Sequence, residues 1–170
     1  MEDDFSKKAH VEKVDALFST IAMRYDLVND IQSAGLHRLW KRKMARLVAL
    51  GESEQALDVC CGTGDLIVRW AKRGGRVAGV DMNGAMLNVA SRRLAKCNIG
   101  QSRLYQADAL QLPFGDGQFD VVTIAYGLRN LADYKTGLQE IFRVLKPGGR
   151  LAILDFGKPP NRFVRGLYYQ

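Results

Sequence analysis

The spacing of apolar positions changes near residue 55 and divides the chain in two. Residues 5–24 carry Phe5, Ala9, Val14, Leu17, Phe18, Ile21 and Ala22, the later ones at helical spacing. The polar stretch from Arg24 to Asp30 reads as a loop or short turn. Residues 36–50 predict a second helix, with Leu36, Leu39, Trp40, Met44, Leu47 and Val48 on one face and Gly51 ending it. From residue 56 onward short apolar runs alternate with helical stretches. Strands are expected over 56–60, 76–80, 103–107, 119–125 and 150–155, with helices at about 64–73, 83–96 and 134–145. Asn83 suits the cap of the middle helix, and Lys146-Pro147-Gly148-Gly149 is a sharp helix stop and turn. After Lys158-Pro159-Pro160-Asn161 a helical pattern begins at Arg162 and is barely under way at Tyr169, so the sheet is expected to lack its last strands.

Strands alternating with helices predict an α/β fold, a doubly wound and mostly parallel sheet with helices on both faces. Residues 1–50 form an N-terminal helical cap region and 51–170 the core of one compact domain. No repeat, low-complexity tract or linker interrupts it.

Composition narrows the class. With 170 residues, 47% hydrophobic and 25% charged, the chain suits a single globular domain with a real core. No run of eighteen apolar residues exists for a bilayer span, and the acidic start Met1-Glu2-Asp3-Asp4 argues against a secretory signal. Three cysteines, with Cys60 and Cys61 adjacent, make no disulfide framework, so a cytoplasmic setting is expected. Neither His10 nor His37 lies near a cysteine in sequence, and no metal site is expected. The net charge of +7 gathers at Arg38, Lys41, Arg42, Lys43 and Arg46. Arg38, Arg42 and Arg46 recur opposite the apolar face of their helix. A solvated surface is the first reading and anionic lipid the second. Nucleic acid comes last, because no RNA-binding motif accompanies the charge.

The chemistry concentrates where the first strand breaks into Cys60-Cys61-Gly62-Thr63-Gly64-Asp65. Gly62 and Gly64 permit a tight strand-to-helix turn and close backbone approach. A dinucleotide site would want a third glycine where Ile67 stands, and Asp65 would repel a pyrophosphate. A nucleoside cofactor without phosphate fits better. Asp81 ends the second strand seventeen residues past Gly64, near the offset of a ribose-binding acid. Asp108 follows the third strand on the ligand edge of a parallel sheet, where it could accept from an adenine amino group while Ala109 offers its backbone N–H. Cys60 and Cys61 are read as buried small residues rather than nucleophiles.

The series Leu57-Asp58-Val59-Cys60-Cys61-Gly62-Thr63-Gly64, Asp81, Asp108, Phe119-Asp120-Val121-Val122 and Arg143 to Leu151 resembles the class I methyltransferases that use S-adenosylmethionine. Cys60 replaces the usual first glycine of that loop. Ile124-Ala125-Tyr126-Gly127-Leu128-Arg129-Asn130, with Arg24-Tyr25-Asp26-Leu27-Val28-Asn29 and Leu39-Trp40-Lys41, is similar to the ubiquinone/menaquinone-biosynthesis C-methyltransferases, over essentially the whole chain from about residue 12. The resemblance implies methyl transfer from S-adenosylmethionine to a ring carbon of a demethylated prenyl quinol. The expected cofactor contacts are Asp58, Gly62, Thr63, Gly64, Asp81, Met82, Asp108 and Ala109, with only a backbone contact at Ala125. Arg129, Asn130 and Tyr25 are the expected catalytic residues: Arg129 stabilises a phenolate, Asn130 hydrogen-bonds an oxygen, and Tyr25 orients the ring or relays a proton. Contact with the membrane surface and a homodimer belong to the same expectation. Methylation at oxygen or nitrogen of another small molecule, and a cofactor-binding fragment without activity, are the alternatives.

Overall fold

Five strands, β1 (Gln55–Val59), β2 (Arg76–Asp81), β3 (Arg103–Gln106), β4 (Phe119–Ala125) and β5 (Leu145–Leu154), lie side by side in one parallel sheet of order β3-β2-β1-β4-β5. The computed structural model that shows this describes residues 2–100 and 102–156. The helix expected from Arg162, the break before it, and the side chains of Phe5 and Ala9 lie outside what is described. The helices are α1 (Glu2–Ile21), α2 (Tyr25–Ser33), α3 (Leu36–Val48), α4 (Asp65–Ala71), α5 (Gly84–Lys96) and α6 (Tyr134–Val144), with a 3-10 turn at Ala22–Arg24.

Successive side chains of a strand point to opposite faces, so these buried strands read as continuous apolar runs. On one face Ala56, Val77 and Val121 pack against Met44, Ile67 and Trp70 from α3 and α4, with Leu87 and Leu94 from α5. On the other, Leu57, Val59 and Val122 pack against Ile141 and Val144 of α6. The β3–β4 crossover carries no helix. Instead Phe114 fills the gap, edge-on to Tyr105 and to Phe119 at 5.0 Å each. The order of strands reverses between β1 and β4, which opens a crevice at their C-terminal ends.

Strand and helix positions from residue 55 agree with the spacing, and Asn83 does cap α5, accepting from the Met86 N–H at 2.8 Å. Four local features differ. The stretch from Arg24 to Asp30 is not a loop: α2 begins at Tyr25. None of its residues is buried, and polar contacts hold it, which a search for apolar period cannot detect. On α3 the buried residues are His37, Lys41, Met44, Ala45 and Val48, while Leu36, Leu39 and Leu47 are exposed. The face is rotated because Lys41 reaches Asp65 at 3.7 Å and His37 Nδ1 shares a hydrogen bond with Ser33 Oγ at 2.8 Å. The helix also ends earlier, at Ala49 in the left-handed region (φ 45°), before Gly51. Finally, β5 starts at Leu145, and Lys146-Pro147-Gly148-Gly149 is a bulge: Phe119 pairs with Leu145, then Val121 with Arg150.

Candidate active site

The crevice above β1, β2 and β4 opens into a cleft at the C-terminal edge of the sheet, where ligands of such sheets bind. Its floor comes from strand ends: Cys60 and Gly62 after β1, Asp81 and Met82 at β2, Asp108 and Ala109 after β3. Ala125, Tyr126 and Asn130 close one side. Val14, Asp15 and Phe18 of α1 and Tyr25 of α2 form its roof.

Asp81 is the organising charge. Its Oδ2 accepts the Gly62 N–H at 2.8 Å and its Oδ1 the Asn83 N–H at 2.9 Å. A carboxylate has about four acceptor sites, so lone pairs remain on both oxygens for two vicinal hydroxyls of a ligand. Burial lifts this carboxyl above the ordinary carboxylate range, against the backbone hydrogen bonds from Asn83 and Gly62. Asp108 turns one oxygen to its own loop, accepting the Leu110 N–H at 2.9 Å. Asp65, at the start of α4, is already held by Arg69 at 3.1 Å and Lys41 at 3.7 Å, so that turn presents an anion rather than a phosphate site.

The turn itself is tight. Gly64 takes a left-handed φ of 75°, and a Cβ there would lie 3.1 Å from Ala90 Cβ, so α5 packs directly on the loop. Cys60, in place of a glycine, also has positive φ, 53°. Its side chain finds room because Gly127 has none: a Cβ at Gly127 would sit 2.5 Å from Cys60 Cβ. Burial pushes both the Cys60 and Cys61 thiols far above their usual value, so neither offers a thiolate nucleophile. No cluster of His, Cys, Asp or Glu among the described residues could hold a metal.

The structure gathers Tyr25, Gly62, Asp81, Met82, Asp108, Ala109, Ala125 and Asn130 around the cleft and leaves four expected residues outside its wall. Asp58 is 2% exposed and lies beneath the floor, where it accepts from Thr123 Oγ1 at 2.7 Å across the β1–β4 pair. Burial drives its carboxyl up to about 7. Thr63 is also buried, its hydroxyl turned to Asp26 and Arg93. Gly64 faces α5. Arg129 stands beside the cleft, paired with Asp155 at 3.2 Å and lying over the Phe156 ring at 4.8 Å. Asn130 Nδ2 donates to the Tyr126 carbonyl at 3.3 Å.

Sequence reasoning missed Tyr126 and the α1 roof. Tyr126 directly follows β4, so the strand-end rule that found Asp81 and Asp108 would have found it. It has positive φ (62°), stacks on Phe156 at 4.9 Å, and is pushed up to about 12 by burial. Tyr25 meets Phe18 edge-on at 5.8 Å; burial raises its phenol, while a hydrogen bond to Asn29 and the charge of Arg129 oppose the shift.

The sequence profile of the ubiE/COQ5 methyltransferase family matches residues 6–170. The chain is 44% identical over 167 residues to the ubiquinone/menaquinone biosynthesis C-methyltransferase UbiE of Pseudomonas fluorescens (strain SBW25), covering 96% of this chain and 64% of that protein. The protein of the same name from Azotobacter vinelandii is equally similar, at 44% over 96% of this chain and 65% of that one. The chain therefore spans 64–65% of the length of these relatives. Among solved structures, a SAM-dependent methyltransferase from Aquifex aeolicus superposes with a TM-score of 0.65 at 26% identity, over 72% of this chain and 66% of that one. The YcgJ protein from Bacillus subtilis gives 0.68 at 26% identity, over 75% and 55%.

Proposed function

The chain belongs to the ubiE/COQ5 methyltransferase family, and from that premise we propose that it methylates a ring carbon of a demethylated prenyl quinol, using S-adenosylmethionine, in menaquinone or ubiquinone biosynthesis. The observation that carries this reading is Asp81, a half-buried carboxylate fixed by two backbone N–H groups at the edge of a cleft roofed by aromatic side chains. Asp81 suits the ribose hydroxyls, Asp108 and Ala109 suit the adenine, and Gly62 and Met82 line the path between them. When bound, the cofactor supplies an electrophilic methyl group and a leaving group that departs neutral.

Such a transfer needs in-line placement more than acid–base power. That need agrees with a cleft rich in binding groups and without an activated nucleophile. The acceptor ring needs its phenolic proton removed to make a carbon nucleophilic. Tyr25, its phenol raised by burial, stays protonated at neutral pH and serves as a hydrogen-bond donor that orients the ring. The Arg129 guanidinium, beside the cleft, favours the phenolate electrostatically without touching the cofactor. Asn130 offers its remaining amide groups to a ring oxygen.

Offering demethylmenaquinol, catechols and amines in parallel tests the reading. Label from a radioactive donor is expected in the quinol fraction; label in catechols or amines alone would contradict it.

A prenyl quinol resides in a bilayer, and α2 and α3 expose Leu27, Ile31, Leu36, Leu39 and Leu47. Arg42, Lys43 and Arg46 on α3 have no ion pair among the described residues. No helix among the described residues is long and apolar enough to cross a membrane. This surface suits peripheral contact with an anionic bilayer. Cosedimentation with phosphatidylglycerol vesicles, lost at high salt and with neutral vesicles, is the expected result; equal binding to both lipids would refute the electrostatic part.

A further inference from the structure

No residue of α2 is buried, yet α2 carries Tyr25 to the cleft. Asp30 and Ser33 tie its C-terminal half to α3, and its first turn, which bears Tyr25, is fixed by a polar triangle. Asp26 Oδ1 accepts from Thr63 Oγ1 at 3.0 Å, Asp26 Oδ2 is paired with the Arg93 guanidinium, and Arg93 Nη1 donates to Thr63 Oγ1 at 3.3 Å. The three corners come from α2, the turn after β1, and α5. The Thr63 hydroxyl donates to Asp26 and accepts from Arg93, so its proton is committed within the triangle and one lone pair remains.

Each corner also connects to a residue of the cleft. Asp26 follows Tyr25. Thr63 follows Gly62, whose N–H holds Asp81. Arg93 belongs to the helix whose cap, Asn83, holds the other oxygen of Asp81. At that end of α5, Asn83 Nδ2 donates to Asp15 Oδ1 at 2.8 Å and Ser19 Oγ at 2.7 Å, pinning α1. The roof is thus tied to both ends of α5 by polar contacts.

Neighbouring residues of a helix project about 100° apart, so fixing the azimuth of Asp26 fixes that of Tyr25. Apolar contacts would let a short, shallow helix roll; a carboxylate held on both oxygens does not. We propose that Asp26, Arg93 and Thr63 form a latch that sets the position of Tyr25 over the acceptor ring, acting as positioning residues that couple the cofactor turn to the acceptor side of the cleft. This rests on Tyr25 facing the acceptor, as the function above has it. The Asp26 carboxyl agrees with it: burial alone would raise it, but Arg93 and Thr63 bring it below its ordinary value.

A double-mutant cycle between Arg93→Met and Tyr25→Phe tests the latch, reading kcat and KM for a demethylated quinol and the calorimetric affinity for S-adenosylhomocysteine. Arg93→Met alone is expected to lower kcat/KM for the quinol about tenfold, with S-adenosylhomocysteine affinity within about threefold of wild type. In the Tyr25→Phe background the same change is expected to cost less than about threefold, because no phenol hydroxyl remains to be placed. Should Arg93→Met fail to fold, Thr63→Val, which deletes one hydroxyl at nearly constant volume, is expected to show a smaller loss with the same non-additivity. Losses that multiply across the cycle, or cofactor affinity that falls in step with turnover, overturn the latch while leaving the function standing. A wild-type protein that binds S-adenosylhomocysteine but methylates no quinol overturns the function and the latch with it.

Discussion

At the scale of single residues, two strand aspartates occupy different places: Asp81 is half-buried at the cleft and Asp58 fully buried. Asp81 meets the cleft and Asp58 lies beneath it, although both end or interrupt apolar runs in the same way. Asp81→Ala is expected to weaken S-adenosylhomocysteine roughly 100-fold, two charge-assisted hydrogen bonds being lost; calorimetry measures it, and retained affinity would remove Asp81 from the ribose site. Because only the ionised form accepts both hydroxyls and burial raises its pKa, affinity should begin to fall on acidification above the ordinary carboxylate range.

Asp58 has a different signature. Its folded carboxyl is pushed up to about 7 from an ordinary 3.8, so it favours the folded state most below the lower value. That contribution is lost as pH rises through the higher one. Asp58→Asn should therefore stabilise the fold at pH 8 by ~2–4 kcal/mol at most, read as a higher melting temperature, with the gap closing towards pH 4. A gap independent of pH would mean the carboxyl is not lifted. Arg129→Ala should slow turnover roughly 10- to 100-fold while cofactor affinity holds, since the guanidinium stands on Asp155 and Phe156 rather than on the cofactor floor.

At the scale of elements, the strand ends and turns show what was legible and why. Asp81 and Asp108 could be read because a parallel sheet presents its C-terminal edge to ligands, and short apolar runs mark that edge. α2 could not, because its anchors are Asp26, Asp30 and Ser33, which pair with Arg93, Arg38 and His37 across elements. α3 was legible as a helix but not in its rotation. Lys41 and His37 occupy the buried side that a hydrophobicity pattern assigns to Leu36 and Leu39. The Cys60–Gly127 contact was equally hidden, since the two residues are distant in sequence and meet only when β1 and β4 pair. Gly127→Ala should lower the melting temperature, its Cβ falling 2.5 Å from Cys60 Cβ. Cys60→Gly in the same chain should restore much of that loss by removing both the clash and the positive-φ strain. Additive effects in thermal denaturation would refute the contact.

At the scale of the whole molecule, two helical layers divide the labour. The sheet and α5 hold a rigid floor, while α1 and α2 bring an aromatic roof from the N-terminal end of the chain. Val14 and Phe18 read as one apolar stripe of a helix, and nothing local says that the stripe lines a cleft rather than a core; only the docking of α1 on α5 decides it. The exposed apolar side of α2 and α3 and the roof of the cleft belong to the same N-terminal region.

Mass spectrometry of the product formed from trideuteromethyl-labelled donor and a demethylated quinol tests this account most directly. The prediction is a quinol that has exchanged one ring hydrogen for one CD3 group on carbon. A product labelled on oxygen, or an unlabelled quinol from a protein that binds the donor, would contradict it.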